Sequence, residues 1–266
     1  MTKHLLLLVL AIFTINSTFA QTRGTTIVGG EPVTDLKEAT YIVSLSGACG
    51  GSILSAKYIL TAAHCANAFR QVKGGILDLN QQGYTYKVKR VITHPQYNAA
   101  KTNYDFAVVE LETPIDFGST GLRAIQLATP QWAANGHQAP GVTATVYGWG
   151  KLGETQSNTL KILNKVSVPI ISQEEANMPE AYAGKVDETM LPAGYKVGLK
   201  DSCQGDSGGP MVVFDQNGLA VQVGIVSWGM GCARKNKYGI YAKVSHGYEW
   251  IKSTIEAVER SNRTAQ

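Results

Sequence analysis

Apolar residues along this chain gather in short runs, and Gly, Asn, Asp or Pro separates one run from the next. Residues 41–46, 58–62, 84–93, 106–111, 142–147, 160–168, 211–214 and 220–227 form such runs, which predicts strands. The segment Tyr84-Thr85-Tyr86-Lys87-Val88-Lys89-Arg90-Val91 alternates with period two, as a strand with one wet face should. Helical periodicity is nearly absent until the end. There Ser245 can cap a segment whose Ile251, Ile255 and Val258 fall at i, i+4 and i+7, a stripe that can lie against a sheet. Short strands followed by one helix predict an all-β barrel or sandwich fold. The turn-rich stretch 128–140 is a natural division between two subdomains.

Residues 1–20 depart from the strand pattern. Lys3 gives a charged start, residues 5–13 an apolar stretch, and Thr18-Phe19-Ala20 a small-residue cleavage site, which together predict a secretory signal. The apolar stretch is shorter than the ~20 residues a membrane span needs. Export to an extracellular or periplasmic space is therefore expected. Composition narrows the partners: 44% hydrophobic and 17% charged residues exclude a disordered chain. The net charge of +4 is scattered, with no run of five like charges, so nucleic acid is not an expected partner.

Four cysteines, Cys49, Cys65, Cys203 and Cys232, suit two disulfides in an oxidising compartment, with three pairings open. A zinc site is the competing reading, but no C-x-x-C occurs and His64 is the only histidine near a cysteine, so no metal is expected. Two motif matches mislead. Gly148-Trp149-Gly150-Lys151-Leu152-Gly153 fits a dinucleotide fingerprint, yet the residues after it read as loop rather than helix. Gly205-Asp206-Ser207-Gly208-Gly209 fits the α/β-hydrolase elbow, but Gly-Gly-Pro cannot open a helix and only His246 follows Ser207.

A different grouping accommodates these residues. Thr61-Ala62-Ala63-His64-Cys65, Asn103-Tyr104-Asp105-Phe106-Ala107 and Gly205-Asp206-Ser207-Gly208-Gly209-Pro210 place His, Asp and Ser in that order. With Ile27-Val28-Gly29-Gly30, Gly148-Trp149-Gly150 and Ser227-Trp228-Gly229, the sequence resembles the trypsin-like (chymotrypsin-fold) serine proteases over essentially everything after the signal. The resemblance implies two packed antiparallel six-stranded β-barrels with a C-terminal α-helix in a peptidase domain over 27–266. It also implies a monomer without cofactors, met by protein substrates, an activating protease and protein protease inhibitors.

The chemistry explains the residue types. A serine hydroxyl is a weak nucleophile, so Ser207 needs a base, and the imidazole of His64 suits that task near neutral pH. A buried carboxylate must hold the ring in one tautomer and stabilise the imidazolium, the role the resemblance gives Asp105. The N–H groups of Gly205 and Ser207 would receive the oxyanion. Taken singly, each residue has a plainer reading as a structural histidine, a solvated acid or a turn serine; their order and spacing together favour catalysis. An inert homologue acting as a binding module is the alternative. His94, His137 and His246 read as surface residues.

The resemblance also implies that Asp201, six residues before Ser207, lies at the base of a specificity pocket for Arg or Lys, walled by Ser227, Gly229 and Gly239. It pairs Cys49 with Cys65 and Cys203 with Cys232; the first closes a loop beside His64, worth about 3 kcal/mol. Pro192 stands where a further cysteine is usual, so the loop 172–188 is expected to be loose. The segment 74–80 offers one carboxylate, Asp78, where the calcium loop of animal trypsins needs several. Residues 21–26 read as a short propeptide whose removal frees Ile27 to pair with Asp206. Thr26, rather than Arg or Lys, precedes Ile27, and the nearest basic residue is Arg23. Asn262-Arg263-Thr264 is a glycosylation sequon.

Overall fold

The computed structural model describes residues 28–151, 153 and 161–264. The signal and propeptide expectations, together with Ile27, lie outside the described residues.

The first half of the chain supplies β1 (Glu31–Pro32), β2 (Ile42–Leu45), β3 (Cys49–Ile53), β4 (Tyr58–Thr61), β5 (Gln71–Gly74), β6 (Tyr84–Thr93), β7 (Ala107–Leu111) and β8 (Gln126–Leu127). Strands β2 to β7 close into a barrel in the order β2-β3-β4-β7-β6-β5. The second half supplies β9 (Thr143–Gly148), β10 (Asn164–Pro169), β11 (Met190–Ala193), β12 (Pro210–Phe214), β13 (Ala220–Trp228) and β14 (Gly239–Lys243). These join β1 and β8 in an eight-stranded sheet. The N–H of Ile171 donates to the Pro192 carbonyl and that of Gly194 to the Pro169 carbonyl, tying β11 back to the end of β10. Six strands thus curl toward a second barrel, with β1 added at one edge.

The expected fold class holds, with differences in detail. The pairing of β8 with β13 is parallel, through Gln126 against Val221 and Leu127 against Gln222, so the second sheet is not wholly antiparallel. Six strands among the described residues, β1, β3, β5, β8, β11 and β14, were not legible as apolar runs. Gly50, Gly51 and Ser52 in β3, or Pro192 in β11, carry little strand propensity, and tertiary pairing overrides it. The expected strand in β6 is ten residues long with mixed burial, as its alternation requires.

The terminal helix runs over Val244–Thr264, so Ser245 sits inside it, buried, accepting a hydrogen bond from Gln138 Nε2 at 2.9 Å rather than capping it. Ile251 and Val258 are buried against the first barrel's core, together with Ile225 and Ala242 of the second sheet. The helix thereby spans both halves. Ser52 Oγ to Gln222 Oε1 (2.6 Å) and Gly50 N to the Ser207 carbonyl (2.8 Å) join them directly.

His94 is not a surface residue. It is 8% exposed and stacks on Tyr104, with Phe106 and Trp250 around it, because the first barrel's end is closed by aromatic rings from the terminal helix. His137 stacks on Trp132, and His246 is exposed with its ring edge at Tyr104. The 172–188 loop is not loose either. Ser172 caps a turn of helix (Gln173–Ala176), and the Asn177 amide both donates to the Val186 carbonyl and accepts from its N–H. Ala176, Tyr182 and Val186 are buried beneath it, so side chains tie down a loop that lacks a disulfide.

Candidate active site

His64 and Asp105 meet because of strand register. β4 and β7 are antiparallel with Thr61 opposite Ala107, so the turn after one and the residue before the other emerge at the same barrel end. His64 lies in the turn Ala63–Cys65, fastened by the Cys49–Cys65 disulfide. Its backbone N–H donates to Asp105 Oδ1 (2.9 Å) and its ring Nδ1 lies 2.7 Å from Asp105 Oδ2. Asp105 is 1% exposed, whereas the His64 ring is partly open to solvent. A hydrogen on Nδ1 donated to this carboxylate leaves Nε2 with a free lone pair, the tautomer a base requires.

Ser227 has a role that no sequence signal revealed. Its hydroxyl donates to Asp105 Oδ2 at 2.6 Å, so the side chain serves the carboxylate while the residue also lines the cavity beside Ser207. Asp105 thus accepts three hydrogen bonds, which fixes its orientation in a dry setting.

Ser207 stands just before β12. The bonds Gly208 N to the Val226 carbonyl (2.8 Å) and Val226 N to the Gly209 carbonyl (2.9 Å) hold it against the end of β13. The turn Cys203–Asp206 closes through Asp206 N to the Cys203 carbonyl, with Gly205 at φ +99, a conformation open to glycine. Among the described residues the N–H groups of Gly205 and Ser207 donate to no protein acceptor, so two donors are free at this turn.

Beside Ser207 opens a cavity of about 210 Å³ lined by Asp201, Ser227, Gly229 and Gly239, with Trp228 and the Cys203–Cys232 disulfide in its wall. Asp201 Oδ2 accepts from Ala233 N (2.9 Å), while Oδ1 is buried with no partner. Burial pushes this carboxyl up to about 7, partly opposed by the N–H groups of Ala233 and Ser202. Gly239 leaves the acid accessible, since a Cβ there would come within 2.8 Å of Oδ1. The backbone N–H of Asp201 donates to the Val28 carbonyl (3.1 Å), which binds the start of the described chain to the pocket floor.

Asp206 is fully buried. Its Oδ1 accepts from Gly150 N (2.7 Å) and Oδ2 from Cys203 N (2.8 Å). Gly148 and Gly150 are glycines for want of space, because a Cβ on either would overlap the carboxylate. Burial raises the group to about 6 against those two donors. Among the described residues no cation pairs with it, and Ile27, its expected partner, lies outside them.

Near the site, Cys49, His64 and Cys65 stand close enough to suggest a metal, but both sulfurs are in the disulfide and offer no thiolate.

The family model described as trypsin matches residues 27–251. The chain belongs to the trypsin family. Trypsin 5G1 of Aedes aegypti is 40% identical over 234 residues, covering 85% of this chain and 84% of that protein. The anionic trypsin of Canis lupus familiaris is 38% identical over 239 residues, or 87% and 90% of the two chains. Trypsin eta of Drosophila erecta is 38% identical over 267 residues, or 94% and 97%. The protein is a trypsin-like serine endopeptidase, a hydrolase of peptide bonds. Among the described residues no helix is long and apolar enough to cross a membrane.

Proposed function

We propose that this endopeptidase is exported and cleaves after Arg or Lys through an acyl-enzyme on Ser207. The observation that carries the specificity is the unpartnered Asp201 oxygen at the floor of the cavity that Ser207 lines. A buried carboxylate without a counter-charge is costly, and a guanidinium or ammonium entering the cavity offsets that cost. Ser207 Oγ attacks the scissile carbonyl carbon as its proton passes to His64 Nε2. Asp105 steadies the resulting imidazolium, and the free N–H groups of Gly205 and Ser207 receive the oxyanion. The imidazolium then protonates the leaving amine, and water, deprotonated by the same ring, hydrolyses the ester.

Activation fits the same geometry. A new N-terminus at Ile27 would place its α-ammonium against Asp206, replacing a bare buried acid by an ion pair that shapes the adjacent turn. Because Thr26 precedes Ile27, the activator is a protease without Arg/Lys preference, or an initial cut after Arg23 is followed by trimming. The lone Lys3, apolar stretch and small cleavage site of residues 1–20 support export.

Hydrolysis of chromogenic amides ending in Arg, Lys or Phe, by protein beginning at Ile27, tests the pocket. Arg and Lys substrates should exceed Phe by about a thousandfold in kcat/KM, and Asp201→Ser should erase most of that gap while leaving Phe turnover in place. Equal rates on Arg and Phe in the parent protein would overturn it.

A further inference from the structure

The two most exposed large apolar side chains among the described residues lie two positions apart in one loop. Val197 is 65% and Leu199 71% exposed, with Tyr195 also open to solvent, on the loop that leads from β11 to Asp201. Single exposed side chains of this kind are ordinary, but three in one loop mark an unpartnered surface. The cations scattered along the sequence also gather here. Residues 194–200 and the neighbouring turn 233–237 hold Lys196, Lys200, Arg234, Lys235 and Lys237 and no carboxylate, more positive charge than the net +4 of the whole chain. Lys237 donates to the carbonyls of Glu180 and Ala181. Lys196, Lys200 and Lys235 meet no acceptor among the described residues.

The two loops are fixed to one another. Asn236 N–H donates to the Lys196 carbonyl (2.9 Å) and Leu199 N–H to the Ala233 carbonyl (3.2 Å). Leu199 has φ +77, a region that a bulky residue rarely adopts, and Gly198 before it has φ +79 with no room for a Cβ beside the Ala233 carbonyl. Strain is thus tolerated in a loop whose apolar side chains reach no core. Lys200 directly precedes Asp201, and Ala233 N–H donates to Asp201 Oδ2. Both loops therefore back onto the floor of the Asp201 cavity, and a protein held by them keeps the Ser207 end free for substrate.

We propose that Tyr195, Val197 and Leu199, interleaved with Lys196, Lys200 and Lys235, dock this protein on an anionic lipid surface. The apolar side chains enter the headgroup boundary while the ammoniums stay with the lipid phosphates and carboxylates. A soluble polyanion would be met by the cations alone and would gain nothing from the valine and leucine, which favours the lipid. Each cation near such a surface strengthens partition about fivefold, and shielding Val197 and Leu199 about tenfold more. The attraction fades with added salt.

The test is co-sedimentation of protein beginning at Ile27 with phosphatidylcholine vesicles that contain about one-third phosphatidylserine, in about 0.1 M sodium chloride, against pure phosphatidylcholine. Binding to the anionic vesicles alone is expected. The triple variant Lys196→Glu, Lys200→Glu, Lys235→Glu should weaken it by about a hundredfold or more, with unchanged circular dichroism. Lys57→Glu, Lys87→Glu, Lys101→Glu makes the same charge change at exposed positions in the first half of the chain and should weaken it less than about fivefold. Val197→Thr with Leu199→Asn, the latter suited to a left-handed backbone, should cost about tenfold. Absence of binding to the anionic vesicles, or equal losses from the two charge-reversed triples, overturns the surface. Loss from the Lys196 triple with none from the Val197 and Leu199 pair assigns the loops to a soluble polyanion and overturns the lipid.

Discussion

Four carboxylates are buried among the described residues, two beside β7 of the first barrel and two in the second half, and their surroundings differ in kind. Asp105 accepts from His64 twice and from Ser227. Glu110, on β7 itself, meets Lys89 at 3.0 Å, Arg90 at 2.5 Å and Asn262 at 2.8 Å. Burial alone would push Glu110 up, but the hydrogen bonds from Lys89, Asn262 and Arg90 carry it below the usual carboxylate range. Asp201 and Asp206 receive only backbone N–H groups, and both are raised, to about 7 and about 6, by burial. The first barrel completes its own charge pairs within the fold. Among the described residues the two acids of the second half meet no cation, and the substrate cation and the Ile27 ammonium proposed above would complete them.

Removing the acid held by His64 and Ser227 tests this contrast most severely. Asp105→Asn keeps the volume but cannot hold His64 in the same tautomer, so kcat should fall by the loss known for serine-protease triads, about ten-thousandfold, with the fold intact by circular dichroism. A variant of near-normal turnover would break the parallel between burial and catalysis.

Next comes the unfinished acid. An acid whose folded pKa is raised prefers its proton in the native state, so stability is greatest at low pH and declines as pH rises from about 4 through the folded value. For Asp206 the rise to about 6 corresponds to roughly 3 kcal/mol. Urea unfolding of the uncut chain should show that loss between about pH 3 and about pH 7, whereas protein beginning at Ile27 should show less. Asp201 acts with the same sign in both forms, so their difference isolates Asp206. Identical pH profiles for the two forms would sink the pairing.

The smallest effect belongs to Glu110→Gln. Its cationic partners are 45% and 40% exposed, so solvent screens them and the loss should be about 1 kcal/mol at pH 7. Because the folded pKa is depressed, the native contribution is present above the ordinary carboxylate value and disappears as pH falls through the lowered one. Denaturation midpoints of parent and variant at pH 7 and pH 3 measure it. The same contacts bear on the sequon: Asn262 Nδ2, the atom a glycan would occupy, donates to Glu110 Oε1.

Much of this arrangement was legible along the chain. Alternation in β6 and the apolar runs around β4, β7, β9, β12 and β13 announced an all-β fold, and the terminal stripe Ile251, Ile255, Val258 announced the helix. The triad candidates followed from local motifs, since a glycine-rich turn around Ser207 and an apolar run after Asp105 are features of a few adjacent residues. His94 was misplaced because Thr93-His94-Pro95 carries no sign of the rings that cover it from Trp250, far away in the chain. The 172–188 loop was misjudged because the Asn177–Val186 bracket depends on how the loop returns.

The sequence by itself determined the strand-rich class, the terminal helix and the identities of the chemical groups, because these depend on periodicity and on residue type. Only the tertiary structure decided which groups meet: Ser227 on Asp105, Asn262 on Glu110 and the Val28 carbonyl on Asp201. Each of those pairs is separated by more than a hundred positions, and strand register and barrel closure, rather than any local signal, bring them within a hydrogen bond.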